Sequence, residues 1–346
     1  MNSFRMLTGW IAALALIAAW PAAAQAPAAP ATDSLKVVMC GTSGPLPVRD
    51  RAKPCVAILA GGSLYLVDIG SEASENLQLW RMPLATVKAV FITHLHSDHI
   101  GDLGEFNMQS WVAGRPAPLA VVGPPGVDSL AQGLNLAYGP DHGFRHAHHE
   151  HDAVKLPLAL GLLKAKVVIL PARPDAEGVR RATAWTDGAL KVTAILVHHD
   201  PATPAYAYRF DYKGRSVVIS GDTIKWPPLA TAAKGADLLI HEAQNNDMTR
   251  ALSKALAGAG QGRMASIMGD TVSYHTSPVE AAEIAKTAGV KQLVLYHLTQ
   301  AGLPFFSPDA FTRGIDKAGF PDWRLARDGM TIDLPVGSSE VVFGQF

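Results

Sequence analysis

In the stretch Phe91-Ile-Thr-His-Leu-His-Ser-Asp-His-Ile-Gly101, three histidines and an aspartate fall within six positions, directly behind an apolar run. No other feature constrains the chain as strongly. The run Val87–Ile92 reads as a strand, and Gly101 and Asp102 lead into a helical pattern at Leu103–Val112. His94, His96, Asp98 and His99 therefore occupy a turn. Side chains along a strand alternate between faces, whereas in a turn those two apart can converge on one point. His94 and His96 are placed to hold one metal ion, and Asp98 and His99 a second beside it. Imidazole nitrogen with carboxylate oxygen suits zinc, and manganese and iron also accept that donor set. The plain alternative is a polar turn with incidental histidines. Four ligand-type residues at this spacing behind a strand weigh against it.

Short β-branched or apolar runs recur from Leu35–Met39 to Gln292–Tyr296, most of them bounded by Gly, Pro or Asp as strands are. Helical periodicity lies between several of them, at Leu103–Val112 and Val127–Leu136 and most clearly after Ser277. There Ser277 serves as N-cap, Pro278 takes the first helical position, Glu280 completes a capping box and Gly289 stops the helix. Hairpins in places and strand–helix alternation elsewhere predict mixed sheets covered by helices, an α/β fold. The 346 residues are 48% hydrophobic and 17% charged, as in a folded globular chain. Lys and Arg number 30 against 30 Asp and Glu. With no net positive charge, no nucleic-acid partner is expected.

The N-terminus reads as an export signal. Arg5 precedes the apolar run Met6–Trp20, Pro21 breaks it, and Ala22-Ala23-Ala24 offers a cleavage site. Residues 1–24 are expected to be a signal peptide and 25–34 an Ala/Pro-rich linker, which predicts a periplasmic or secreted protein with no stable membrane anchor after cleavage. An uncleaved anchor is the alternative, although the run is shorter than the roughly 20 residues a bilayer span needs. Cys40 and Cys55 either pair in that oxidising space or are two small buried residues. Asp141 to Asp152 holds five of the thirteen histidines. It is expected to be a solvated surface loop, with metal scavenging as the alternative. The irregular stretch 133–185 is the candidate cover over the metals.

His94-Leu-His96-Ser-Asp98-His99 resembles the hallmark His-x-His-x-Asp-His of the metallo-β-lactamase superfamily. Other pieces resemble that family in order: Gly41 to Pro47, Tyr65 to Gly70, Leu196 to Phe210, Val217 to Thr223 and Leu293 to Leu298. The resemblance runs from about Leu35 to Leu334. It implies an αββα sandwich of two mixed β-sheets flanked by helices, in a single domain over 35–346. By the family arrangement His94, His96 and His199 bind a first metal, Asp98, His99 and His297 a second, and Asp222 bridges the two together with a water or hydroxide. Two Zn²⁺ ions are implied, with Mn²⁺ or Fe²⁺ as alternatives. His199 is preferred to His198 because it directly precedes the Asp-Pro turn. Asp222 without metal would be an ordinary turn residue.

Ala236 to Gln244 and Ser273 to Leu298 resemble the branch that contains ribonuclease Z and related arylsulfatases and phosphodiesterases. In that branch a histidine beside the metals contacts the substrate's anionic group or assists the leaving group. The matching residue is His275, with Glu242 as its orienting partner, so Asp98, His275 and Glu242 are the expected catalytic groups. A helix-end contact for His275 and a salt bridge or cap for Glu242 are the plain alternatives. The expected activity is dinuclear metal-dependent hydrolysis of small anionic esters, aryl sulfates or phosphate (di)esters, by a metal-bridging hydroxide. Ribonuclease Z activity itself is not expected of an exported chain without a basic arm. A lactonase or other acyl hydrolase is the nearest rival, and a non-catalytic metal-binding or sensing protein is the rival of another class. A homodimer is one expected assembly. Trp111 and Trp226 are either walls of an aromatic leaving-group pocket or ordinary core or half-buried surface.

Overall fold

The apolar runs become two mixed β-sheets packed face to face, described over residues 33–151 and 155–346 of a computed structural model. The expected signal peptide, and the expected linker up to residue 32, lie outside the described residues. Among the described residues the first sheet has eight strands. Their order is Val342–Gln345, Met330–Pro335, Ser34–Gly41, Cys55–Ala60, Ser63–Val67, Val87–Phe91, Leu119–Gly123 and Leu163–Val167. The second has seven, in the order Trp323–Leu325, Gln292–Leu298, Leu238–Ala243, Arg215–Ile219, Ala205–Tyr212, Leu190–Val197 and Arg181–Asp187. Each sheet is parallel in one half and antiparallel in the other.

Period-two alternation decides which residues enter which layer. Phe91 points between the sheets, its ring 5.3 Å from both Tyr208 and Phe210. Its neighbours Val90 and Ile92 point outward, beneath Leu103 and Phe106 of helix Leu103–Val112. On the far side, helices Pro227–Ala232 and Pro278–Ala288 bury Leu229, Ala281 and Ala285 against the second sheet. The layers thus run helix, sheet, sheet, helix. The Ser277 capping box and the left-handed Gly289 stop (φ 62°) are both present.

Open sheets with parallel strands gather chemistry outside the strands' carboxyl ends. Asp68 follows Ser63–Val67, His94 follows Val87–Phe91, and Asp222 follows Arg215–Ile219. Glu242 and His297 stand at the ends of Leu238–Ala243 and Gln292–Leu298. All these strands deliver to one rim.

Cys40 and Cys55 form a disulfide with a Cα–Cα separation of 4.9 Å, both fully buried, joining adjacent strands. The His-rich segment differs from the expected loop: Gly139–His148 is a helix. Proline in its first turn, the Arg145–Asp141 pair one turn apart and His142 packed on Trp111 at 5.1 Å outweigh its low apolar content. Helices Asn246–Gly258 and Gly262–Asp270 fill an interval where the patterning singles out no element.

Candidate metal centre

Asp222 Oδ2 lies at the focus of four imidazoles: 3.2 Å from His297 Nε2, 3.4 Å from His99 Nε2, 3.8 Å from His199 Nε2 and 3.9 Å from His94 Nε2. Asp98 Oδ2 lies 3.4 Å from His297 Nε2 and 3.8 Å from His99 Nε2. His96 Nδ1 lies 2.9 Å from His94 Nε2 and 3.4 Å from His199 Nε2. Among the described residues the donors form one set of His94, His96, His199 and Asp222 and another of Asp98, His99 and His297, the atoms in each within 4.8 Å of one another. Asp222 also groups with His275 and His297. Its carboxylate thus reaches histidines of both sets. His198, in contrast, turns away: its half-exposed ring stacks on Trp226 at 5.6 Å.

Local backbone features hold this geometry. Asp68, in the left-handed region at φ 57°, accepts hydrogen bonds from the Thr93 amide and hydroxyl, both at 2.8 Å, and faces His99 Nδ1 at 2.8 Å. The sequence contains Asp68 in its Asp-x-Gly turn, but nothing local links it to a histidine 31 positions later. Gly221, at φ 58°, has no room for a side chain: a Cβ would stand 2.8 Å from Tyr206 O and 2.9 Å from Thr93 Cβ. His297 takes a positive φ of 50° despite its side chain, a conformation found where surrounding structure enforces it.

The donor chemistry fits divalent cations. His99 Nε2, His297 Nε2 and Asp222 Oδ1 are buried without hydrogen-bond partners, a costly arrangement that a cation between them would relieve. Burial pushes the His94 pKa well below its usual value, lowers that of His96 and takes His199 to about 4, so these rings are neutral and carry a lone pair to donate. Around His99 burial acts in the same direction but is outweighed by Asp222, Asp68 and Asp98, which raise its pKa. Burial likewise opposes ionisation of Asp98 and Asp222. Against it, His99 and His297 hold Asp98 at about 2, and His297 and His99 hold Asp222 well below the carboxylate range.

A sequence profile of the Metallo-beta-lactamase superfamily matches residues 48–258, a stretch that includes six of these donors, from His94 to Asp222. The chain belongs to that superfamily. Its relatives place this metallo-β-lactamase domain in the ribonuclease Z-like branch. Ribonuclease Z of Mycobacterium marinum is 32% identical over 270 residues, covering 77% of this chain and 87% of the relative. Ribonuclease Z of Mycobacterium bovis is 35% identical with the same coverage. The fold is shared with the metallo-beta-lactamase fold protein YhfI of Bacillus subtilis, with a TM-score of 0.59 and 22% identity over 87% of this chain and 100% of the other. It is also shared with human tRNase Z, short form, with a TM-score of 0.58 and 22% identity over 87% and 99%. The chain is thus a metallo-β-lactamase-fold hydrolase with a His/Asp cluster suited to divalent metal.

One expectation is corrected here. The absence of a nucleic-acid partner is overturned by the relatives named ribonuclease Z, at 32% and 35% identity. A formal charge of zero counts side chains over the whole surface and omits the cations that a metal site carries, so it does not report the field at the site.

Beside the metallo-β-lactamase donor cluster, His275 Nδ1 lies 2.9 Å from Glu242 Oε1, which also accepts from the amides of Thr223 at 3.1 Å and Thr276 at 3.2 Å. Burial lowers the His275 pKa; burial and then the Asp222 charge raise that of Glu242 well above the usual range. A cleft of about 290 Å³ opens over His96, Asp98, Asp222, His275 and His297. None of the described residues of the 133–185 stretch lines it. Among the described residues its apolar lining comes from Met264, Ile267 and Met268 of helix Gly262–Asp270, together with Leu46. Residues 163–167 and 181–187 are instead edge strands of the two sheets. The helical spacing of Met264, Ile267 and Met268 is the signal that could have located the cover. Trp111 is fully buried beside Met108 and Leu156, and Trp226 stacks on His198; neither lines this cleft.

Proposed function

We propose that this chain is a dinuclear, zinc-type metallohydrolase that cleaves phosphodiesters, with RNA as its substrate class. The observation that carries the reading is the reach of Asp222 Oδ2 to histidines of both donor sets, 3.8 and 3.9 Å from His199 and His94 and 3.2 and 3.4 Å from His297 and His99, with the His275–Glu242 pair beside them. Relatives named ribonuclease Z, at 32% and 35% identity, support RNA as the ester.

In this reading His94, His96 and His199 hold one cation, Asp98, His99 and His297 hold the other, and Asp222 is shared. When bound, such cations supply Lewis acidity and a water of lowered pKa. The chain's own residues do the rest. Asp98 and Asp222, held ionised, reduce the repulsion between like charges. His275 holds a proton on Nε2 and delivers it to the departing oxygen. Glu242 supports that transfer through Nδ1: one proton lies between Oε1 and Nδ1 and stays with the ring when the Nε2 proton leaves. The opposed directions of the two pKa values favour such sharing.

The test uses the full chain, stripped with chelator and reloaded with zinc or manganese. Substrates are a 3′-extended RNA, bis(p-nitrophenyl) phosphate, an aryl sulfate and a homoserine lactone. Metal-dependent cleavage of the RNA and the phosphodiester, lost together with bound metal in Asp222→Ala, supports the proposal. Turnover confined to the sulfate or the lactone overturns it. The Cys40–Cys55 disulfide supports the further proposal that the protein works outside the cytoplasm; cell fractionation that finds it only in the cytoplasm would refute this.

A further inference from the structure

The cleft over the metal centre is divided by chemistry. Its floor is polar and ionisable, formed by His96, Asp98, Asp222, His275 and His297. Its wall is apolar. Met264, Ile267 and Met268 recur at the three- and four-residue spacing that puts side chains on one helical face. Arg263, Ser266 and Asp270 take other positions of the same helix and are exposed. Met268 is buried, but Met264 and Ile267 remain 42% and 46% exposed. Apolar side chains left open to water inside a concave site lose free energy that a bound apolar group would recover. The helix is anchored rather than loose: Ser253 of the preceding helix donates to Ala265 O at 2.7 Å, and Asn245 caps that preceding helix through the Met248 amide at 2.9 Å. Tyr274 adds an aromatic ring to the lining of the cleft and meets the His199 ring edge-to-face at 5.3 Å.

We infer that Met264, Ile267 and Tyr274 form a base-binding subsite that selects substrates carrying a flat ring next to the scissile phosphate. This rests on the phosphodiesterase reading and specifies which part of the ester the wall recognises. At about 290 Å³ the cleft admits a phosphate and one adjoining ring, not a protein segment or an RNA stem. Thioether side chains are polarizable and adapt to ring faces without requiring one base identity. The subsite therefore favours any base over none.

The experiment compares an RNA oligomer with its counterparts bearing one abasic nucleotide on either side of the scissile bond, using the metal-loaded full chain. Removal of the base on one side should lower kcat/KM by about tenfold or more, with the loss mostly in KM. In the Met264→Ser/Ile267→Ser double variant the ratio of intact to abasic kcat/KM should fall toward one, and Met264→Leu should retain it. A binding readout needs no turnover: calorimetry should show adenosine 5′-monophosphate binding more tightly than ribose 5-phosphate, with the difference lost in the double variant. Equal cleavage of intact and abasic oligomers, or a double variant with unchanged selectivity, would overturn the subsite. Failure of the underlying reading looks different: no phosphodiester of any kind would be cut.

Discussion

The Asp68 carboxylate and the His99 ring are joined at 2.8 Å, with both groups almost wholly buried and Thr93 donating twice to the same carboxylate. This contact fixes His99 Nδ1 and leaves Nε2 directed toward Asp222. Outer partners of metal-binding histidines orient the ring and raise its basicity.

Asp68→Ala is therefore expected to weaken metal binding by about 10–100-fold while every direct donor remains in the chain. Competition of a chromophoric chelator for zinc measures this. Unchanged affinity would show that packing alone orients His99.

His275→Ala should keep its metal and lose rate. A proton donor to a leaving oxygen contributes about 10²–10⁴-fold, and the variant should lose kcat on that scale. Elemental analysis and turnover are read on the same sample; loss of metal instead would make His275 a ligand through its grouping with Asp222 and His297.

His241, which is not one of the grouped donors, supplies a pH dependence of stability. Burial, only partly offset by its hydrogen bond to Glu242 O, takes its pKa from 6.5 to about 4. Between those values the unfolded chain takes up a proton that the folded chain refuses. The stabilisation is thus fully present above about pH 6.5 and is lost as pH falls toward 4, by up to about 3 kcal/mol. Urea midpoints of metal-free protein at pH 7.5 and pH 5 should differ less in His241→Gln than in the unaltered chain. Identical pH dependence in the two proteins would remove His241 as the source.

The disulfide closes a loop between residues 15 positions apart. Replacing both cysteines in Cys40→Ser/Cys55→Ser should lower unfolding free energy by about 3 kcal/mol, measured by denaturant titration. The same loop carries Leu46 to the cleft, so KM should respond more than kcat. Unchanged midpoints would mean that the strand ladder between Met39 and Val56 already holds the loop.

Where a feature depends on neighbours in the chain, the amino-acid order was sufficient. The Ser277–Glu280 box and the Gly289 stop are written in turn chemistry that acts over a few residues. The cluster from His94 to His99 is compact for the same reason: a strand must end there and turn. Alternation likewise puts Phe91 and Val90 on opposite faces of their strand, although only the packed sheets show that Phe91 is the inner one.

Tertiary structure decided what depends on which surfaces meet. His198 and His199 are adjacent and chemically identical, and only the path of the chain beyond Leu190–Val197 sends one ring to Asp222 and the other to Trp226. Asp68 becomes the partner of His99 because two parallel strands end side by side. The wall over the cleft comes from Gly262–Asp270, whose helical spacing is legible locally but whose place beside the imidazoles is set only by the packing of that helix in the fold. Periodicity and capping are short-range and are encoded residue by residue; the meeting of distant strand ends is set by burial of the whole sandwich, which no single segment contains.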